Sequence, residues 1–105
     1  MAEKFEISFI TILPKIEKDE FGFPETGRTR CIGFFKTIEK AIQSVKEGGP
    51  EFYNIFGGQY ILIETYEEGI LKIALKRILF EWNGTEYVQI EEPEILKNVC
   101  NYAIN

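Results

Sequence analysis

Arg28 and Arg30 stand two residues apart in a stretch that reads as a β-strand, which places both guanidinium groups on one face. A guanidinium is a planar fork of N–H donors that meets phosphate or carboxylate oxygens two at a time. The chain also carries nine Phe, five Tyr and one Trp, among them Phe34, Tyr60, Tyr66 and Trp82. An aromatic face stacks a nucleobase for about 1–3 kcal/mol. Arginine beside aromatic is the chemistry of a nucleotide pocket, and these six residues are its candidates. A plainer account competes with it: Phe34 and Tyr60 lie in the core or at a subunit boundary, and the arginines pair with surface glutamates.

Glu64 and Asn101 complete the candidate set. Glu64 shares a strand face with Tyr60, Leu62 and Tyr66, and if buried it has the makings of a general acid or base. That chemistry needs a second carboxylate or a nucleophile. Glu67 and Glu68 read as turn residues, and Glu91, Glu92 and Glu94 as charges at a helix start. The carboxylates as a group therefore read as solvated or capping. Asn101 is either a ligand contact or the cap of a short C-terminal helix.

Several chemistries are excluded. The chain has no histidine, so it has no Ser-His or Cys-His pair and none of the common zinc sites. Two cysteines, Cys31 and Cys100, do not make a four-ligand zinc site. Cys31 adjoins Arg30, but neighbours on a strand point to opposite faces, so nothing activates the thiol. Both cysteines read as small buried hydrophobes. Gly48-Gly49 and Gly57-Gly58 lack the Lys-Ser/Thr that follows a phosphate-binding loop. No catalytic residue, metal or cofactor is expected.

The 105 residues carry a net charge of -5, from 12 basic and 17 acidic side chains. A duplex-binding surface needs clustered Lys and Arg, so neither duplex nucleic acid nor an anionic membrane is an expected partner. One or two phosphates are within reach of a few local cations. Stretches free of charge, such as Ile7 to Leu13, are far short of the roughly 20 residues of a membrane helix. Glu3 and Glu6 stand where a secretion leader would be basic, so a cytoplasmic location is expected.

The elements that must position these side chains follow from periodicity. Residues 4–13 alternate as a strand with Phe5, Ile7, Phe9 and Thr11 on one face. Residues 15–27 read as a loop or a long hairpin tip, and 28–35 as a second strand antiparallel to the first. Gly33 marks a bulge or a close approach in that strand. Thr37 caps a helix over 37–47 whose stripe is Ile38, Ala41, Ile42 and Val45, and Gly48-Gly49-Pro50 ends it. Residues 51–58 have no clear reading. Strands follow at 59–66, 70–82 and 87–90, with 70–76 alone also compatible with a helix, and the last two are joined by a four-residue loop that pairs Trp82 with Tyr87. A two-residue loop would oppose Glu81 to Glu86. A short helix begins near Pro93. The expectation is a single α+β domain: an antiparallel sheet of about five strands, one main helix (37–47) on one face and a short C-terminal helix. A chain this size buries only about 60–70% of its unfolded surface, so self-association is expected to cover spare aromatics.

Five runs carry a further pattern. They are Arg30-Cys31-Ile32-Gly33-Phe34-Phe35 with Thr37, Glu39 and Ala41; Tyr60, Ile63 and Glu64 followed by Glu68-Gly69; the Phe80, Trp82, Asn83 hairpin; Glu92-Pro93-Glu94 with Leu96; and Asn101. Together they resemble a family of small uncharacterised proteins encoded by clostridia-like bacteria and their phages. The resemblance covers most of residues 28–104. It departs at 70–76, an apolar run where the family carries a loop with Pro and Asn. The family has no assigned activity; the likeness implies a small accessory gene of phages and mobile elements.

Residues and context lead to one expectation: a non-enzymatic accessory protein, a homo-oligomer, that sequesters a small host molecule such as a nucleotide signal of immunity. The alternative is an acidic inhibitor or adaptor that acts on a host enzyme.

Overall fold

The first strand already shows why the sheet sits at the centre of the fold. In β1 (Glu6–Leu13) Ser8, Ile10 and Ile12 alternate with Thr11 and Leu13, and all five are buried, so both faces of this strand are covered. The computed structural model describes residues 6–67 and 76–93. Its other elements are β2 (Glu17–Lys18), β3 (Pro24–Glu25), β4 (Arg30–Phe35), α1 (Ile38–Phe56), β5 (Tyr60–Glu67), β6 (Lys76–Trp82) and β7 (Tyr87–Ile90). Five strands form one antiparallel sheet in the order β4-β1-β5-β6-β7, and β2 pairs with β3 in a separate two-stranded ribbon. This is the α+β architecture the periodicity implied. None of the described helices is long and apolar enough to cross a membrane.

Alternation along β1 and β5 builds two cores. Ile10, Ile12, Ile61, Ile63 and Phe80 meet Ala41, Val45 and Phe52 of α1 on one face of the sheet. Leu13, Leu62 and Leu79 form a smaller cluster on the other, joined by Ile16, Tyr60 and Ile90. Full burial of one such aliphatic side chain stabilises the fold by about 1.5–3 kcal/mol.

The hairpin between β6 and β7 has the expected four-residue loop. Trp82 pairs with Tyr87, and the Asn83 N–H donates to the Glu86 carbonyl at 3.0 Å. The Asn83 side-chain oxygen accepts from the N–H groups of Thr85 and Glu86, both at 2.9 Å.

The helix differs from its expected span. Thr37 caps it as anticipated, with its hydroxyl accepting the Lys40 N–H at 3.2 Å. Gly49 does interrupt it, at φ 46° and ψ -134°, but the chain turns helical again and runs to Phe56. Pro50 opens this second segment, where its missing N–H costs nothing. Phe52 and Tyr53 then reach Tyr87 and Trp82, and Tyr53 stacks on Trp82 at 4.4 Å and 6°. These tertiary contacts override the Gly-Gly-Pro stop. Cys31 also departs from expectation: it is exposed, because β4 is an edge strand and this side chain lies on its uncovered face. Residues 70–75, the C-terminal helix and Cys100 lie outside the described residues.

Candidate functional site

The end of the helix and the start of β4 converge on one cavity of about 570 Å³. Arg28, Thr29 and Arg30 form one wall, Phe56, Gly57 and Gly58 the other, with Ile12 and Pro14 between them. That volume falls inside the roughly 300–1,000 Å³ of small-molecule sites.

Each wall has a local cause. Gly57 ends α1 in the left-handed conformation (φ 71°), donating its N–H to the Tyr53 carbonyl at 2.7 Å. Gly58 passes so close to β1 that a methyl group there would land on the Ile12 side chain. Its carbonyl accepts the buried Tyr87 hydroxyl at 2.7 Å, which fixes the chain at the cavity rim. Burial, and then the neighbouring Tyr53, push the Tyr87 phenol up to about 12, so it remains a donor.

On the opposite wall, β4 bulges where its pairing with β1 shifts between Ile10 and Thr11. The extra residue is Ile32, next to the expected Gly33. Arg30 then lies across from Ile12, on the helix side. Arg28 precedes the strand, so a shared strand face does not unite the two arginines; the cavity does. Both are exposed, and neither forms an ion pair with a described residue. Among the described residues no carboxylate lines the cavity. The C-terminal end of α1 contributes about half a negative charge, against two full positive charges. The cavity is therefore cationic with one aromatic side, a setting for an anion attached to a flat or apolar group.

The other candidates lie elsewhere. Phe34 is 64% exposed on the far face of the sheet, against Phe9. Tyr60 is half-buried on that same face; burial, then Glu81, raises its phenol above the ordinary value. Trp82 is on the helix side but is occupied by Tyr53. Asn101 lies outside the described residues.

Glu64 corrects the solvated reading of the carboxylates. It is fully buried beside Tyr66, whose hydroxyl donates to it at 3.1 Å. The guanidinium of Arg77, which stands directly opposite on β6, approaches the same carboxylate at 3.6 Å and ion-pairs with Glu92 at 2.8 Å. This network knits β5, β6 and the chain after β7 together. Glu64 is not part of the arginine cavity, so it does not reach a molecule bound there. No group of His, Cys, Asp and Glu among the described residues is arranged to hold a metal ion.

Comparison with family models, curated proteins and solved structures finds no match. The site is therefore read from its own geometry. Sequence reasoning found Arg28 and Arg30 but missed Phe56, Gly57 and Gly58. The signal was present: an aromatic followed by Gly-Gly is a helix ending as well as a loop.

Proposed function

We propose that this chain is a non-enzymatic binding module that captures a small anionic host molecule in the Arg28/Arg30 cavity. The single observation that carries the reading is the pair of arginines without an ion-pair partner among the described residues, facing Phe56 and the Gly57-Gly58 backbone across an open cavity. Phosphates meet the guanidinium forks, and a base or sugar lies against the aromatic and apolar side. A nucleotide signal of bacterial immunity fits that chemistry, and the family resemblance supplies the phage or mobile-element setting. Sequestration is the mode. The chain has no histidine, and the buried Glu64 stands apart from the cavity.

A thermal-shift screen against cyclic dinucleotides, cyclic trinucleotides and ADP-ribose-type molecules tests this. A ligand at 100 times its Kd adds about 2.7 kcal/mol, a midpoint rise of more than about 10 °C for a domain this small. Recovery of intact ligand after heating supports sequestration, and consumption of the ligand overturns it. No shift across the panel overturns the nucleotide reading and puts the acidic adaptor ahead.

A further inference from the structure

Residues 15–27 leave the body between Pro14 and Arg28 as an arm built on the β2–β3 ribbon. Its root is tied down. The Lys15 N–H donates to the Thr26 carbonyl at 3.3 Å, and its ammonium bridges Glu17 at 3.5 Å and Glu25 at 3.3 Å. Ile16 packs on the Leu13, Leu62, Leu79 cluster, on the sheet face away from the helix. The tip is equally fixed. One carboxylate oxygen of Asp19 accepts the N–H groups of Phe21 (2.9 Å) and Phe23 (2.8 Å), and Gly22 turns the chain at φ 84°. Yet this ordered tip leaves Phe21 75% and Phe23 66% exposed. An arm locked at both ends with two bare aromatic rings is pre-organised for a partner, because little entropy remains to be lost on docking.

The same chain carries a surface that matches it. The arm is acidic, with Glu17, Asp19, Glu20 and Glu25 against Lys15 and Lys18, and Glu20 is exposed at the tip. The cavity offers Arg28 and Arg30 with no described carboxylate, and its lining includes the exposed Phe56, which follows the exposed Ile55 in the chain. Ile16 anchors the arm on the far face, so the tip does not fold back over its own cavity. Because the arm springs from the cavity's rim and extends roughly 15 Å at about 3.3 Å per residue, two copies related by a two-fold axis can exchange arms reciprocally. Four phenylalanine rings at about 150–250 Å² each, with the surface they cover, reach the roughly 1,200 Å² of a small specific interface.

We infer that the chain forms a two-fold dimer in which the Glu20–Phe23 tip of each copy seats in the Arg28/Arg30/Phe56 cavity of the other. The contact does not depend on which small molecule the cavity takes. A ligand phosphate and the Glu20 carboxylate compete for the same guanidinium groups, so ligand and dimer oppose each other.

Sedimentation velocity of the full chain, without any nucleotide, tests this. The unaltered protein should dimerise, more weakly at 0.5 M salt. The Phe21→Ser/Phe23→Ser variant should lose affinity by roughly 100-fold or more, as should Arg28→Glu/Arg30→Glu. Mixing the two variants restores one tip and one intact cavity, so association should return. A monomeric unaltered protein at about 100 μM overturns the inference, as does a dimer that survives the loss of both rings. A mixture that stays monomeric shows that the tip has another receptor. Nucleotide binding by the Phe21→Ser/Phe23→Ser variant is read separately and reports on the cavity's ligand alone.

Discussion

Arg30 lies directly across from Ile12 in the β4–β1 pairing, although regular continuation from Ile10 and Gly33 would have brought Cys31 there. The one-residue bulge at Ile32 exchanges their sides. It sends the guanidinium to the cavity and leaves the thiol on the uncovered face. A single inserted residue thereby decides whether this wall is cationic.

Replacing either arginine should separate binding from folding. Both side chains are exposed and carry no ion pair with a described residue, so at concentrations that keep the chain monomeric Arg28→Ala and Arg30→Ala should hold the unliganded midpoint within about 2 °C, as surface changes do. Each removes charge-assisted hydrogen bonds worth about 1.5–3 kcal/mol, so nucleotide affinity should fall roughly 10- to 150-fold by calorimetry.

The buried network should respond oppositely to single and double changes. Arg77→Met leaves Glu64 as a buried carboxylate without its guanidinium, a loss of about 3–5 kcal/mol in urea unfolding. Glu64→Leu combined with Arg77→Met removes both charges and should cost less than Arg77→Met alone. Additive losses would show that the two groups act independently.

At position 58 the limit is space. An alanine methyl there meets Ile12, so Gly58→Ala should destabilise the fold by about 1–3 kcal/mol. At roughly 4–8 °C per kcal/mol the midpoint falls by about 4–24 °C. Pairing it with Ile12→Val should recover part of that loss; no recovery would place the obstruction elsewhere.

Tyr87 ties stability to alkaline pH. Its pKa is raised from 10.0 to about 12, so the folded state holds the proton more tightly than the unfolded one. Its contribution is complete below pH 10 and is lost as the pH rises toward about 12. Tyr87→Phe should flatten that part of the urea-midpoint profile. It should also lower stability at neutral pH by about 1–3 kcal/mol, because the Gly58 carbonyl loses its buried donor.

The sheet was legible because period-two patterning and the Asn83-Gly84 turn act locally. The existence of the five strands and the Trp82–Tyr87 pairing followed from them, whereas the start of β4 fell at Arg30 and not at Arg28. The second half of α1 was not legible, since Gly48-Gly49-Pro50 is a local stop that only the distant Trp82 and Tyr87 overcome. Glu64 was misjudged for the same reason. Its strand gave its face, but burial depends on Arg77 and Glu92, which are remote in sequence. Of the candidate site, the arginines were found by type, whereas Phe34, Tyr60 and Tyr66 had the right chemistry on the wrong side of the sheet.

The break at Gly49 gives the two halves of α1 different employers. Ala41 and Val45 in the first half are fully buried and answer to the sheet. The second half, from Pro50 to Phe56, answers to the aromatic trio of Tyr53, Trp82 and Tyr87 and delivers the wall of the cavity. Because helical phase is not carried across the break, substitutions at Phe56 can reshape what the cavity accepts while the first half keeps its register. Recognition can thus diversify in this chain without renegotiating the fold.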